Sequence, residues 1–265
     1  MGSIYAFAPP CSQTRSNPVA PTPNILPENT DLAFLGEVAW PAAALTERQA
    51  QQFIAKANRC GRPNADVLRR RIAVVDDEPA ESWQIDFPEH FTLQESELYE
   101  EPFDFLQRHA ADWKNPHANP KLRRALAKVS RYLAMPADAE TPDWIWIEEE
   151  LVPDASLVVV ARDDDFTHGI LSSDVFVAWH QAHSAGLAPD QLVEAFPFPW
   201  PLATGLSGLT AAQEESRHAV AKAIRSGNHD ALHEAVCRAY GWAVDLAEDE
   251  LQEKVSVLQR LRSTR

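Results

Sequence analysis

Apolar residues return at helical spacing in several parts of the chain. Thr46 and Gln49 have the arrangement of a capping box, and apolar positions then recur between Ala50 and Ala57, so a helix is predicted to start here. Further helices are predicted for a short stretch after Pro63, for residues 95–108 with a break near Pro102, for 120–128 behind an Asn119 cap, and from Ser172 and Ser173 through His180. The spacing therefore predicts helices on both sides of the middle of the chain.

The middle of the chain carries patterns that are typical of strands. Residues 82–87 alternate in polarity until Pro88, and Val158 to Val160 form a β-branched run that fits a strand covered on both faces. Strands are predicted over residues 82–87, 131–135, 144–147, 156–161 and, briefly, 169–171, with the last four in one sheet. We therefore expect an α/β (α+β) fold in which a mixed central sheet is flanked by helices and followed by a small all-helical C-terminal segment.

Prolines divide the chain into segments. Residues 8–30 contain six prolines with little periodicity, which is typical of a linker, and residues 196–201 read Phe-Pro-Phe-Pro-Trp-Pro, which excludes regular structure. Beyond this stretch, helices are predicted from Thr210 to a stop at Gly227, from Asp230 toward Tyr240, and from Glu248 onward. The predicted organisation is a Pro-rich linker over 1–30, an α/β domain over 31–201 and a helical segment over 202–265.

The aromatic residues between these prolines need partners outside their own segment. Extended backbone with three prolines makes no internal hydrogen bonds, so the apolar area of Phe196, Phe198 and Trp200 must be buried against other elements. We predict that they dock between the sheet and the C-terminal helices as a fixed strap. A flexible hinge with exposed aromatic side chains is the alternative.

Composition favours a folded, soluble protein. The 265 residues are 45% hydrophobic and include 8 Trp and 11 Phe, which suffices for a sizeable core. No apolar stretch is long enough to cross a bilayer, and the N-terminus lacks the features of a signal peptide, so a cytoplasmic location without a membrane partner is expected. Cys11, Cys60 and Cys237 show no paired metal-binding spacing and are interpreted as ordinary thiols.

Familiar catalytic motifs do not occur in the sequence. It has no glycine-rich phosphate loop, His-Glu-x-x-His helix, Gly-x-Ser-x-Gly elbow, Cys-x-x-Cys pair or Asn-Pro-Pro-Tyr type of adenine methyltransferase motif. Asp163 to Asp165, followed by His168, suggest a hard metal ion. Adjacent carboxylates repel and point in opposite directions along an extended chain, so a solvated turn between strands is favoured, with a ligand or base role for His168 as the alternative. No catalytic residue and no metal site is predicted.

The net charge of the chain opposes nucleic-acid binding, but two local clusters of residues are basic. There are 39 acidic and 24 basic residues, giving a formal net charge of -15, which repels DNA. Two basic clusters stand out: Arg59, Arg62, Arg69, Arg70 and Arg71, and then Lys121, Arg123, Arg124, Lys128 and Arg131. Each is interpreted either as the solvated face of a helix or as a set of phosphate contacts.

Seven short blocks stand in an order that resembles a known family. They are Phe34-Leu35-Gly36, residues 64–68, residues 83–87, Pro153-Asp154, residues 163–171, residues 196–199 and residues 209–215. From about Asp31 onward, their order and spacing resemble MmeI-type (type IIL) restriction-modification DNA methyltransferases. The resemblance places the blocks in the target-recognition domain and C-terminal region of such enzymes. It implies that S-adenosylmethionine binding, adenine methylation and any nuclease belong to preceding domains, so no cofactor is expected in this chain.

Two segments depart from the family pattern. Residues 137–141 read Ala-Asp-Ala-Glu-Thr where the family often carries a basic run, and residues 183–189 are short and lack the Arg and Tyr of the corresponding loop. Base readout uses side chains such as Arg, Lys, Asn or Gln. Both departures therefore remove groups that suit DNA recognition.

The leading hypothesis is a DNA target-recognition module that acts on double-stranded DNA with a methyltransferase domain or subunit. The residues predicted to contact DNA are Arg69, Arg70, Lys121, Arg123, Arg124, Lys128, Arg131, His168, Ser172 and Ser173. The runner-up is a degenerate stand-alone module that binds a methyltransferase subunit instead of DNA, which the acidic balance and shortened loops favour. A self-contained enzyme is a third hypothesis that no visible nucleophile, base or cofactor loop supports. The DNA hypothesis requires both basic clusters to lie on one face.

Overall fold

The computed structural model describes residues 22–75, 78–148, 150–202 and 208–264. Most of the predicted linker, residues 1–21 with Cys11, lies outside these ranges. The strands within them are β1 (Ala33–Leu35), β2 (Ala44–Leu45), β3 (Leu68–Val75), β4 (Glu78–Ile85), β5 (Arg131–Pro136), β6 (Ile145–Glu148), β7 (Leu151–Pro153) and β8 (Leu157–Val160). The helices are α1 (Glu47–Ala55), α2 (Leu93–Ser96), α3 (Glu100–His109), α4 (Pro120–Leu126), α5 (Asp165–Leu171), α6 (Asp174–His183), α7 (Pro189–Glu194), α8 (Ala211–Ser226), α9 (His229–Tyr240) and α10 (Glu248–Ser263). None of these helices is both long and apolar enough to cross a membrane.

The strands form two four-stranded sheets. In the first sheet the order is β1-β8-β5-β6, and each neighbouring pair is antiparallel. In the second sheet the order is β2-β4-β3-β7, with β3 antiparallel to β4 and parallel to β7. The predicted α/β fold is confirmed, and the strands predicted at 131–135, 144–147 and 156–161 share the first sheet as expected. The strand predicted at 82–87 belongs to a second, mixed sheet.

The two sheets meet beside Gly36, which follows β1. Its amide donates to the Leu157 carbonyl oxygen in the first sheet at 3.0 Å, and the next amide, of Glu37, donates to the Pro153 carbonyl oxygen in the second at 2.8 Å. A Cβ atom at position 36 would lie 2.1 Å from the backbone oxygen of Asp154. Only glycine permits this approach of two backbones, so Gly36 fixes how the sheets join.

The first sheet is covered on both faces, as its β-branched run predicts. Val158 and Val160 face a core that includes Trp179 and apolar residues of α5 to α10. Val159 faces a second core that includes Leu122 of α4. A third core lies between the second sheet and helices α1 and α3. The first sheet thus shares its main core with the C-terminal helices.

Two predictions about secondary structure are wrong. Residues 169–171, predicted as a strand, belong to α5, because the Asp164 carboxylate caps this helix by accepting a hydrogen bond from the Thr167 amide at 2.9 Å. Gly169 supports the helix, since a Cβ atom there would lie 2.5 Å from Val220 of α8. The arginines at 69–71 lie in strand β3, so the helix-face interpretation does not apply to them.

The proline-aromatic segment is a packed strap. Phe196, Phe198 and Trp200 are 0%, 1% and 7% exposed, and all three belong to the core shared by the first sheet and helices α8 to α10. Phe196 meets Phe176 edge to face at 5.0 Å, and Trp200 stacks on Phe166 at 4.8 Å between ring centroids. The predicted docking of these aromatic side chains is confirmed, whereas the predicted domain boundaries stay predictions.

Residues 24–29 are tied to the folded body. Leu26 is 0% exposed and its amide donates to the Glu194 carbonyl oxygen at 3.1 Å. The Asn29 side chain donates to the same oxygen at 3.1 Å. The Gln259 side chain of α10 donates to the Asn24 carbonyl oxygen at 2.8 Å. The two ends of the described chain therefore lie side by side.

Candidate nucleic-acid interface

Helix α4 presents three basic residues on one exposed face. The Asn119 side chain caps the helix by accepting hydrogen bonds from two amides of the first turn, as predicted. Lys121, Arg124 and Lys128 are exposed, and their spacing places them on the same side of the helix and the turn that follows it. Lys121 lies 3.0 Å from the Asp31 carboxylate, whereas Arg124 and Lys128 have no carboxylate partner in the part of the chain that the structure describes.

Arg123 of the same helix points inward. Its guanidinium binds both carboxylate oxygens of Glu37 at 2.6 Å and lies 2.9 Å from the Asp86 carboxylate. The Glu37 side chain is 0% exposed and also accepts a hydrogen bond from the Asn119 amide at 2.8 Å. Burial disfavours the charged guanidinium, but the hydrogen bonds and charges of Glu37 and Asp86 outweigh this and raise the pKa of Arg123. Arg123 is therefore a largely buried cation held by two carboxylates.

Arg71 of β3 connects the first basic cluster to the same place. Its side chain is 4% exposed, lies 2.6 Å from the Asp154 carboxylate and donates to the Glu37 carbonyl oxygen at 2.7 Å. One inward arginine of each cluster thus converges on Glu37, whereas Arg59 of the first cluster lies elsewhere, 3.6 Å from Glu100 of α3. We refer to Glu37, Arg71, Asp86, Arg123 and Asp154 as the Glu37 network.

The other arginines of β3 differ in their surroundings. Arg70 forms an ion pair with Glu81 of β4 and lies 6.0 Å from the ring centre of Trp83. Burial raises the pKa of Asp86, while the charges of Arg123 and, less strongly, of Arg69 lower it. Arg69 therefore lies beside the Glu37 network, whereas Arg70 points to the opposite face of the strand.

A third group of predicted residues surrounds Trp146 of β6. The guanidinium of Arg131 lies 3.8 Å from the centre of the Trp146 ring, and the His168 ring lies 5.1 Å from it. The Asp165 carboxylate binds Arg131 at 2.7 Å and Arg225 of α8 at 2.6 Å. Burial acts to raise the pKa of Asp165, but the hydrogen bonds from the two arginines outweigh it and lower that pKa. The structure thus brings Arg131 and His168 together on a partly exposed aromatic surface.

The serines and aspartates nearby have internal roles. Ser173 is 2% exposed and its hydroxyl donates to the Ile170 carbonyl oxygen at 2.7 Å, while Ser172 is half-buried at the end of α5. The carboxylate run at 163–165, predicted as a solvated turn between strands, instead begins a helix because Asp164 caps α5. Within the described ranges, no group of three or more His, Cys, Asp or Glu side chains suits a metal ion.

One polar cluster of the folded chain was not predicted from the sequence. Asp174 at the start of α6 lies 2.6 Å from Nδ1 of His233 and 3.1 Å from Nε2 of His229, both on α9. The Sγ atom of Cys237 lies 3.6 Å from Nε2 of His233. This order resembles a Cys-His-Asp triad, but burial and the charge of Asp174 raise the pKa of Cys237, which disfavours the reactive thiolate. The four-residue spacing of the two histidines and the cysteine is the sequence signal for the cluster.

The two segments that depart from the family pattern lie against each other. Residues 137–140, after β5, and residues between His180 and Pro189, at the end of α6, line one pocket of about 280 Å³. Asp138 and Glu140 are its exposed acidic residues. The two segments that lack the basic side chains of the resembled family therefore lie next to each other on the surface.

Buried histidines should make the fold sensitive to mild acid. Burial lowers the pKa of His168, His180 and His183 below the usual 6.5. The unfolded chain then binds more protons as the pH falls through 6.5, so the free energy of unfolding should be highest above that pH and decrease toward the lowered values. Urea denaturation at about pH 7.5 and about pH 5.5 measures the difference. His180→Gln should reduce this pH-dependent difference in the free energy of unfolding. His117→Gln, at an exposed position, should leave the difference unchanged. The prediction is contradicted if both variants show the same difference.

No protein-family model and no curated protein matches this sequence. A solved structure, however, has a similar fold. It is MmeI, a type IIL restriction-modification enzyme, in complex with DNA. The match has a TM-score of 0.55 at 13% sequence identity, and it covers 95% of this chain and 37% of the MmeI chain.

The likeness to MmeI extends over 95% of this chain. At 13% identity it establishes a shared fold. This chain corresponds to little more than a third of the length of MmeI, since 37% of that chain is covered. The expected relation to restriction-modification enzymes is therefore supported at the level of the fold.

Proposed function

We propose that this chain is the DNA target-recognition module of an MmeI-like, adenine-specific restriction-modification methyltransferase, without the catalytic domain. The observation that carries the proposal is the fold likeness, over 95% of the chain, to a restriction-modification enzyme solved with DNA. Adenine methylation and S-adenosylmethionine binding belong, in this proposal, to a separate domain or subunit. The sequence supports that division, because it has neither a glycine-rich loop nor an Asn-Pro-Pro-Tyr type of motif.

The proposed DNA surface combines the exposed face of α4 with the surroundings of Trp146. Lys121, Arg124 and Lys128 suit phosphate contacts, because solvent-exposed cations neutralise phosphates without reading sequence. Arg131 follows three residues after the last of them, so the two surfaces adjoin. Arg131 carries hydrogen-bond donors of the kind that base contacts need. The N–H of the neutral His168 ring is used on the Trp144 carbonyl oxygen at 3.1 Å, so this side chain can offer a base only an acceptor nitrogen.

Other residues predicted from sequence to touch DNA have supporting roles in this proposal. Arg123 fixes α4 against the sheets through Glu37 and Asp86, so it positions the exposed cations. Ser173 is buried, and its hydroxyl donates to the Ile170 carbonyl oxygen of α5. Arg69, beside the Glu37 network, extends the basic surface from α4 toward the second sheet.

Replacing Arg124 and Lys128 together with alanine should weaken the binding of the full chain to every DNA duplex. Both side chains are exposed, so the fold should be unaffected. Loss of two phosphate contacts should reduce the magnitude of the slope of log affinity against log salt concentration by about two. Fluorescence anisotropy with several unrelated duplexes over a series of salt concentrations measures both effects.

The matched control replaces Lys254 and Arg260, two exposed cations of α10, and should change neither affinity nor salt dependence. Selection from a random duplex pool then tests sequence readout, and a recurrent short site is the expected result. The proposal is wrong if the full chain binds no duplex at low salt, or if the control variant loses as much affinity as the α4 variant.

A second function is favoured by a different observation. The net charge of -15 and the acidic pocket at the two departing segments suit a surface for a protein partner rather than for DNA. In that case the full chain would bind no duplex and would form a stoichiometric complex with a methyltransferase that lacks its own recognition region. The DNA experiment distinguishes the two functions.

A further inference from the structure

The guanidinium of Arg131 is held from two directions. Its Cζ atom lies 3.8 Å from the centre of the Trp146 ring, so the indole covers one face of the group. In the plane of the guanidinium, Nη2 donates to the Asp165 carboxylate at 2.7 Å and to the Asp163 carbonyl oxygen at 3.3 Å. Stacking and an ion pair together leave this long side chain little freedom. Arg131 is therefore fixed in position by the protein itself.

The two groups that hold Arg131 are themselves held. The second carboxylate oxygen of Asp165 accepts a hydrogen bond from Nη1 of Arg225 at 2.6 Å. Burial favours the neutral carboxyl group, but the hydrogen bonds from both arginines outweigh this and lower the pKa of Asp165, so it is charged near pH 7. Trp146 lies in β6, where it pairs with Leu133 of β5. The support of Arg131 is thus part of the folded chain.

The other donors of Arg131 are unused within the described part of the chain. A guanidinium carries one N–H group on Nε and two on each terminal nitrogen. The Nε and Nη1 atoms of Arg131 donate to no described residue, and neither belongs to the buried polar atoms that lack a partner. Both atoms are therefore accessible, on a side chain that is 36% exposed. Fixed and accessible donors without an acceptor point to a partner that supplies acceptors.

We propose that Arg131 is a specificity residue that recognises a guanine in the major groove of the DNA target. This inference rests on the proposed function. Guanine presents two neighbouring acceptors in that groove, N7 and O6, whereas adenine and thymine each present one beside an amino or a methyl group, and cytosine presents a donor. The two N–H groups on Nη1 of Arg131 suit the guanine pair. Base readout also requires a side chain whose position is fixed in advance.

Trp146 and Asp165 are positioning residues in this proposal. They act on the base only through Arg131, because one lies under its guanidinium and the other binds Nη2. Removing the indole with Trp146→Leu should therefore reduce the preference for guanine at one position of the DNA site. The affinity for unrelated duplexes should stay the same, since phosphate contacts carry no sequence information.

The experiment begins with the site that the full chain selects from a random duplex pool. Each guanine of the site is replaced in turn by 7-deazaguanine, which has a carbon atom in place of the N7 acceptor. At one position this replacement should weaken binding about tenfold, the loss expected for one hydrogen bond to a charged donor. In Arg131→Ala the same replacement should have no effect, and in Trp146→Leu it should have a smaller effect. Fluorescence anisotropy measures the affinities.

Arg225→Ala is the matched control, because it removes the other arginine of the same carboxylate and leaves both supports of Arg131. It should respond to 7-deazaguanine like the original chain. Each comparison is a ratio of two affinities of one variant, so partial unfolding of a variant does not alter it. The inference alone is overturned if no 7-deazaguanine weakens binding, or if Arg131→Ala still responds to it. A chain that binds no duplex overturns the proposed function as well.

Discussion

Phe198→Ala should lower the melting temperature of the entire chain by roughly 6 to 20 °C. The side chain is 1% exposed and lies in the core that contains both sheet residues and residues of the C-terminal helices. Truncating a buried phenylalanine costs about 3 to 5 kcal/mol, because apolar burial is lost and the cavity does not fully close. The strap holds neighbouring parts of one core, so the sheet and the helices should lose stability together.

Differential scanning calorimetry measures this effect on the original chain and the variant. We expect a single transition in both, displaced to lower temperature in Phe198→Ala. Leu261→Ala on α10 is the control, because that side chain is 60% exposed and its loss should change little. Two independent transitions with an unmoved midpoint would indicate a hinge instead of a strap.

Arg123→Ala should lower the free energy of unfolding by about 3 to 5 kcal/mol, the range for removing one partner of a buried ion pair. The substitution leaves the Glu37 side chain, 0% exposed, and the Asp86 side chain, 4% exposed, without their common cation. It also removes one of the contacts that hold α4 at the junction of the sheets, where the Asn119 amide still donates to Glu37. Urea denaturation of the original chain and of the Arg123→Ala variant measures the difference in the free energy of unfolding.

Arg124→Ala is the matched control for Arg123→Ala, since it removes the next arginine of the same helix from an exposed position. It should change stability by about 0.5 kcal/mol or less. The single variant Glu37→Gln and the double variant Glu37→Gln/Arg123→Ala complete a double-mutant cycle with Arg123→Ala. The double variant should lose less than the sum of the two single losses, because the pair is already broken in each. Additive losses would mean that the ion pair contributes nothing to stability.

Local signals in the sequence predict the helices well. The capping box at Thr46 and the caps at Thr210 and Asn119 occur as predicted, because each depends on hydrogen bonds within a few residues. Strand β3 is missed since three consecutive arginines conceal its alternation, and only Arg71 is buried among them. The division into two sheets could not be predicted, because it depends on contacts between distant segments such as the one at Gly36.

The candidate site was predicted as a set of residues but not as a surface. Buried Leu122 and Leu126 define the inner face of α4, and Arg123 borders that face while Arg124 lies away from it. Helical spacing therefore contains the signal that separates the two arginines. The role of Arg123, however, depends on Glu37, which lies 86 positions earlier in the chain. The residues around Glu37 give no local sign that it binds an arginine. Partners so far apart become visible only in the folded chain.

The hydrogen bond between Gln259 and Asn24 bears on how such a module can be used in different proteins. Because the two ends of the described fold are adjacent, the unit can be inserted into a loop of a host protein, or rejoined through a short bridge and opened elsewhere, without stretching its core. A polypeptide attached at either end would leave from the same side of the molecule. The order along the chain of this unit and of a domain joined to it is then free to change, while their arrangement in space is kept.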